Sequence, residues 1–366
     1  MRATAYGREC RRPRSHSSGL DRKFAERSGS VQRRYGNPYS RTPGVDAFSL
    51  FETFTAWQPA AYVQATGNLA PRLDVTAGVR VDDYRYIGRT RASPRAGAAF
   101  ELTPRLRAKA SVGMYYQQPA FLFLAVFPQN RSLVPFRADH YVGAVTYTMG
   151  ERLTVGVEGY RKNYQNYPVA REYPSLSLAN LGDTFNVLEV LFPLTSAGVG
   201  SSQGLELSAA RRDDGRWYGQ TNLSWSRARY AALDGVLRPG GFDYPLVFNL
   251  TSGRRLSPKW ETSVRVAYMS GRPYTPFDTA ESARQRRGIY DLSQVNGVRA
   301  PAYVRVDARI DRNAILAGKP VILFVGLQNV TGRRNFAGYT WNRRANAREA
   351  NEQLGVFPLI GFEWRF

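Results

Sequence analysis

The chain has no long hydrophobic run. Its longest apolar stretch, Phe121 to Phe127, falls far short of the roughly 20 residues a helix needs to span a bilayer. A helical membrane bundle is therefore excluded. Cysteine is nearly absent: Cys10 stands alone, so no disulfide framework or thiolate metal site can form. Histidine is almost as scarce, with only His16 and His140, so no metal centre and no cofactor are expected. No nucleophile–base pair, carboxylate dyad, P-loop or dinucleotide fingerprint occurs in a supporting context, and no catalytic residue is assigned. The adjacent Asp139 and His140 read as strand residues, since no second carboxylate pair accompanies them. Acidic residues are few too: 29 Asp+Glu against 51 Lys+Arg give a net charge of +22. That balance suits nucleic acid, but the cations are nearly all Arg and are spread along the chain. Dispersed rather than clustered cations make no nucleic-acid footprint, so no nucleic-acid partner is expected.

What is present is alternation. Aromatics reach 13%, while mean hydropathy is only -0.41. From about Trp57 onward, segments of about 10 residues alternate apolar and polar positions. Leu73, Val75, Ala77, Val79 and Val81 form one face against Asp74, Thr76, Gly78, Arg80 and Asp82. Val304, Val306, Ala308 and Ile310 likewise oppose Arg305, Asp307, Arg309 and Asp311. Charges on the second face of strand after strand cannot pack around a dry core. They suit a wall with lipid on one side and a polar lumen on the other. The last strand fits: Ile360, Phe362, Trp364 and the terminal Phe366 are apolar at every second position.

The connections alternate as well. Short ones lie at 68–72, 102–105, 149–152, 212–216 and 256–259, rich in Pro and Gly. Long ones run roughly over 83–93, 117–137, 163–201, 229–244, 271–301 and 330–353. Short turns on one side and long loops on the other indicate periplasmic and extracellular ends, with the C-terminus on the periplasmic side. Aromatics near strand ends, including Trp57, Tyr84, Tyr86, Trp225, Tyr230, Trp260 and Trp364, read as interfacial girdles. The fold class is thus all-β: an antiparallel transmembrane β-barrel, partial, of about 12–14 strands.

Several segments resemble the C-terminal barrel portion of TonB-dependent outer-membrane receptors. These are Ala61-Tyr62-Val63-Gln64 followed by Ala77-Gly78-Val79-Arg80-Val81-Asp82, Met114-Tyr115-Tyr116-Gln117-Gln118-Pro119, Gln203-Gly204-Leu205-Glu206-Leu207, and Leu327-Gln328-Asn329-Val330-Thr331-Gly332 running into Phe336. The resemblance covers about residues 57–366. It implies a receptor that takes up a bulky nutrient, siderophore-, vitamin- or oligosaccharide-like, from the bacterial outer membrane. It implies no enzyme activity. Ligand-binding candidates by position are Tyr115, Tyr116, Gln117, Gln118, Arg272, Tyr274 and Trp341. Phe362, Trp364 and Phe366 resemble the signal that barrel assembly machinery reads. Further implied partners are outer-membrane lipid, lipopolysaccharide and, for an intact receptor only, the energising TonB complex.

The departures shape the expectation. Such receptors have about 22 strands, a plug and a box for the energising protein. This chain shows about 13 strand candidates and neither of the other two. Residues 1–45 are Arg-rich and aperiodic, without a secretory apolar core. They are expected to be disordered and non-native, with an Arg-rich transit peptide as the competing account; residues 46–366 are expected to be the barrel part. A fragment unable to perform gated transport alone is the leading reading. A complete small porin or adhesin, and a soluble basic nucleic-acid-binding β-protein, are the alternatives.

Overall fold

The computed structural model of the chain describes residues 21–37, 48–181 and 192–364. Phe366, the last residue of the expected assembly signal, lies outside them. Fourteen strands form one antiparallel meander: β1 (Asp21–Asn37), β2 (Phe48–Ala70), β3 (Leu73–Tyr84), β4 (Arg89–Thr103), β5 (Leu106–Gln117), β6 (Phe136–Met149) and β7 (Leu153–Ala170). It continues with β8 (Leu194–Arg211), β9 (Trp217–Ala231), β10 (Leu246–Arg255), β11 (Trp260–Met269), β12 (Tyr303–Leu316), β13 (Lys319–Gln328) and β14 (Phe357–Trp364). Each pairs with its sequence neighbours, and no ladder among the described residues joins β1 to β14.

β1 departs from expectation. Composition called for disorder up to residue 45, yet residues 21–37 pair in unbroken register with β2, from Asp21 opposite Gln64 to Asn37 opposite Phe48. The composition rule weighs apolar side chains that can be buried in a core. A wall strand is held chiefly by its backbone ladder and needs fewer of them.

Residues opposite each other in a ladder share a face, so the register sorts the whole sheet. One face is apolar: Val63 meets Val79, Val112 meets Tyr141, Val157 meets Leu207, Leu250 meets Val266, and Val325 meets Ile360. Ile360 is 83% exposed and Phe362 66%, which is lipid-facing chemistry. The other face carries Arg80–Asp82 at 2.7 Å, Arg107–Asp74 at 2.6 Å and Arg305–Asp307 at 2.6 Å. These pairs are partly exposed, so each contributes at most about 1 kcal/mol. They set the polarity of the lumen rather than its stability.

The short turns lie where expected, and side-chain oxygens close three of them. Thr103 Oγ1 accepts from the Leu106 amide at 3.0 Å, and Ser257 Oγ from the Trp260 amide at 3.2 Å. Asp214 Oδ1 accepts from the Arg216 and Trp217 amides at 2.9 and 3.0 Å. Those two amides, before Arg211, hold the Asp214 carboxyl well below its ordinary range. A sixth short turn, Ala317-Gly318, escaped the sequence reading; both residues are left-handed, at φ 51° and 74°. The expected long loop over 83–93 also proves short: only Arg85–Ile87 and Gly88 separate β3 from β4.

Candidate ligand-binding mouth

The buried apolar cluster lies at the long-loop end rather than in the wall. Tyr84, Ile87, Phe123, Leu124, Leu133, Ala170, Leu176, Leu181, Phe192, Leu194 and Val295 pack together there. Tyr84 and Tyr86 therefore belong to this cluster, not to a lipid girdle, whereas Trp57, Trp225 and Trp260 remain exposed. Asparagines pin the loops to one another. Asn130 Nδ2 donates to Phe123 O, and its Oδ1 accepts from the Leu194 amide, both at 2.8 Å. Asn296 Nδ2 donates to Asn180 O at 2.7 Å and to Pro239 O at 2.9 Å. Buried amides of this kind replace the water that loop backbone otherwise needs. The result is an ordered platform at the mouth of the lumen.

The seven candidate residues fall into two groups, one at the end of β5 and one on the connections after β11 and β13. Tyr115 lies on the polar face with its ring 4.5 Å from His140. Tyr116 packs against the loop cluster, and its carbonyl accepts from Tyr84 Oη at 2.9 Å. Gln117 is exposed, whereas Gln118 is buried. Asp139 accepts from Arg137 Nε at 2.7 Å and, as a strand neighbour, faces away from His140, so the two form no acid/base pair.

Arg272, Tyr274 and Trp341 come together six or more strands away. The connection after β11 and the hairpin Phe336–Asn342 with Ala347–Glu352 meet here. Tyr274 lies 5.1 Å from Tyr339, and Phe277 lies 4.8 Å from Tyr290 and 5.9 Å from Trp341. Arg348 caps Tyr339 at 4.2 Å, and Arg272 Nη2 donates to Ala337 O at 3.0 Å. Burial pushes the Tyr290 phenol up to about 12 and raises Tyr274 too, so both stay neutral donors at physiological pH. Trp341 Nε1 is shielded from solvent and has no hydrogen-bond partner among the described residues. Such an arrangement can stack a planar group, pair an anion with arginine and offer neutral donors. Among the described residues no group of three or more His, Cys, Asp or Glu could hold a metal ion.

Sequence reasoning missed a third aromatic group. Tyr164 and Tyr230 flank Gly200 on the polar face, 5.4 Å apart, with Tyr167 5.4 Å from Tyr230 and 4.9 Å from Phe136. A loop was expected from residue 163, but β7 continues to Ala170 through an irregular register near the left-handed Asn166. The closely spaced Tyr160, Tyr164 and Tyr167 were its signal.

A family model for the TonB dependent receptor-like β-barrel matches residues 12–330. No curated protein matches the sequence. Among solved structures, the ferric-catecholate import receptor Fiu of E. coli K12 superposes with a TM-score of 0.64 at 12% identity, over 94% of this chain and 51% of its own. The ferripyoverdine receptor of Pseudomonas aeruginosa gives 0.63 at 14% identity, over 95% and 45%. The FrpB iron transporter of Neisseria meningitidis gives 0.58 at 15% identity, over 84% and 45%. The chain thus spans about half the length of these structures, and at such identities the likeness establishes the fold. The described strands, faces and family match agree: the chain belongs to the TonB-dependent receptor β-barrel family, whose members reside in the outer membrane of Gram-negative bacteria.

Proposed function

We propose that this chain forms the C-terminal wall and mouth of a receptor that takes up a bulky nutrient, siderophore-, vitamin- or oligosaccharide-like. The observation that carries the reading is the arginine–aromatic assembly around Tyr274, Tyr339 and Trp341, beside the mouth of a charged lumen. Its solved neighbours include a ferric-catecholate import receptor and a ferripyoverdine receptor. The chain is a fragment in this reading, and it binds without performing gated transport. The open ladder between β1 and β14 supports that, since the wall needs further strands to close. The energising TonB complex then acts only on the completed receptor, and barrel assembly machinery reads the Phe362, Trp364 and Phe366 stripe.

The test is a titration of the folded full chain with a ferric catecholate, a ferric hydroxamate, a corrinoid and a linear oligosaccharide. One class binds, and Trp341→Ala together with Arg272→Gln weakens it by about 1–2 kcal/mol or more. Binding by no class, or binding indifferent to both substitutions, removes the reading. Energy-dependent uptake by the chain alone would remove its fragment status.

A further inference from the structure

The short-turn end of the wall carries a regularity that the receptor reading leaves unused. The residue immediately before β3, β5, β7, β9 and β11 is in every case a cation: Arg72, Arg105, Arg152, Arg216 and Lys259. The residue that follows it and opens the strand is always large and apolar: Leu73, Leu106, Leu153, Trp217 and Trp260. By register these five lie on the apolar face, so each begins the lipid-facing stripe and each cation stands just past its end. Consecutive short turns are two strand spacings apart, so the cations recur about every 10 Å along the rim. Arg212 adds a further one in the turn between β8 and β9.

Arg72, Arg105, Arg212, Arg216 and Lys259 are exposed and form no ion pair among the described residues. The acids of these turns are already engaged, apart from the exposed Glu151. Asp214 meets Arg211 at 2.5 Å and Arg152 at 3.3 Å, and Asp213 meets Arg255 at 2.7 Å. Arginines that face lipid at this rim are handled differently: Arg211 lies 4.4 Å from the Trp217 ring and Arg312 5.5 Å from the Trp260 ring. The turn cations lie past the apolar band and over no aromatic ring among the described residues, so they are placed for a partner beneath the wall rather than beside it. One exposed ion pair contributes at most about 1 kcal/mol, so a small anion at a single turn is held weakly. A polyanion that reaches several turns at once binds through all of them, because each further contact is intramolecular. Guanidinium pairs with carboxylate through two parallel hydrogen bonds, which suits a polymer that carries carboxylates at intervals.

We propose that this cationic rim docks on a carboxylate-bearing polymer beneath the outer membrane, the peptide-linked glycan of the cell wall. The inference depends on the short turns facing the periplasm and not on the ligand taken at the mouth. Co-sedimentation of the detergent-folded full chain with purified peptidoglycan sacculi tests it, beside sacculi whose carboxyls have been amidated and vesicles of phosphatidylglycerol. Native sacculi retain the chain at least tenfold more tightly than amidated ones. The variant R72Q/R105Q/K259Q, drawn from three separate turns, loses at least tenfold of that affinity, whereas R89Q/R343Q/R344Q, three exposed arginines at the long-loop end, leaves it unchanged. Equal retention on both kinds of sacculi, full affinity in the turn variant, or an equal loss in the long-loop variant would each overturn the proposal. Binding to the vesicles that exceeds binding to native sacculi and is lost in the turn variant assigns the rim to lipid headgroups and overturns it as well. Should the turn variant not fold, R105Q alone decides: about a threefold loss supports the docking surface, and no loss overturns it.

Discussion

Asn130 is the residue whose removal best tests the mouth as a folded unit. It is 0% exposed and joins two loops through both ends of one amide. Asn130→Ala strands the Phe123 carbonyl and the Leu194 amide, both in buried residues. Each orphaned group costs about 1–3 kcal/mol, so the platform loses about 2–6 kcal/mol. At tenfold per 1.4 kcal/mol, exchange of the Leu194 amide accelerates by between about thirtyfold and about twenty-thousandfold. The wall does not share the loss, because the ladder of β7 and β8 around Val157 and Leu207 makes no use of Asn130. Hydrogen–deuterium exchange with peptide resolution reads both regions in one sample. Acceleration confined to residues near 118–135 and 192–194, with the mid-strand peptides protected, is the expected pattern. Less than about fivefold acceleration at Leu194, or equal acceleration around Leu207, would refute the separation of mouth from wall.

Three further outcomes are expected. Gly200→Val places a Cβ 2.2 Å from Tyr230 Cδ1 and 2.9 Å from Arg229 O, so the Tyr164–Tyr230 contact breaks at a cost of about 1–3 kcal/mol in denaturant unfolding; Gly143→Ala, with nothing within 4 Å, is the neutral control. Ala317→Asn relieves a left-handed alanine at φ 51° and gains up to about 1 kcal/mol in the same measurement, and a loss would contradict the turn geometry. Because the folded Asp214 carboxyl titrates below its ordinary 3.8, its contribution is full above 3.8 and is lost as pH falls through the depressed folded value. Asp214→Asn should therefore lose protection of the Trp217 amide at neutral pH, and the difference from the parent should shrink in acid; a difference that grows in acid would reverse the assignment.

The wall was legible because its code is local. Period-two alternation needs only neighbouring residues, so the faces of β3, β12 and β14 could be read from Leu73–Asp82, Val304–Asp311 and Ile360–Trp364. Turns marked by Pro, Gly, Asp or Ser were equally visible. Ala317-Gly318 was not, since alanine is an uncommon choice for a left-handed position. β1 was hidden because its order comes from the β2 ladder rather than from its own composition. The mouth was least legible. Its cluster joins Tyr84 to Val295 across more than half the chain, and its pins are asparagines with no sequence pattern. Placement at strand ends put forward Tyr115, Tyr274 and Trp341 as candidates, but nothing local could say that they lie in two groups.

The open ladder ties the fold to the proposed function. β14 has 8 residues, and every second one turns its N–H and C=O away from β13. That is about eight backbone groups at one edge, each costing several kcal/mol in hydrocarbon, or on the order of 20 kcal/mol or more. A domain's whole net stability is only about 5–15 kcal/mol. The described sheet therefore cannot rest in a bilayer with β14 bare, and β1 presents the same difficulty at the other side. The mouth carries no such penalty, because its backbone groups are met by Asn130, Asn180 and Asn296 and its apolar residues by one another. Under the proposed function, recognition at the mouth would therefore draw on residues of this chain, whereas the described sheet would need partners for β1 and β14 before it could seal a wall.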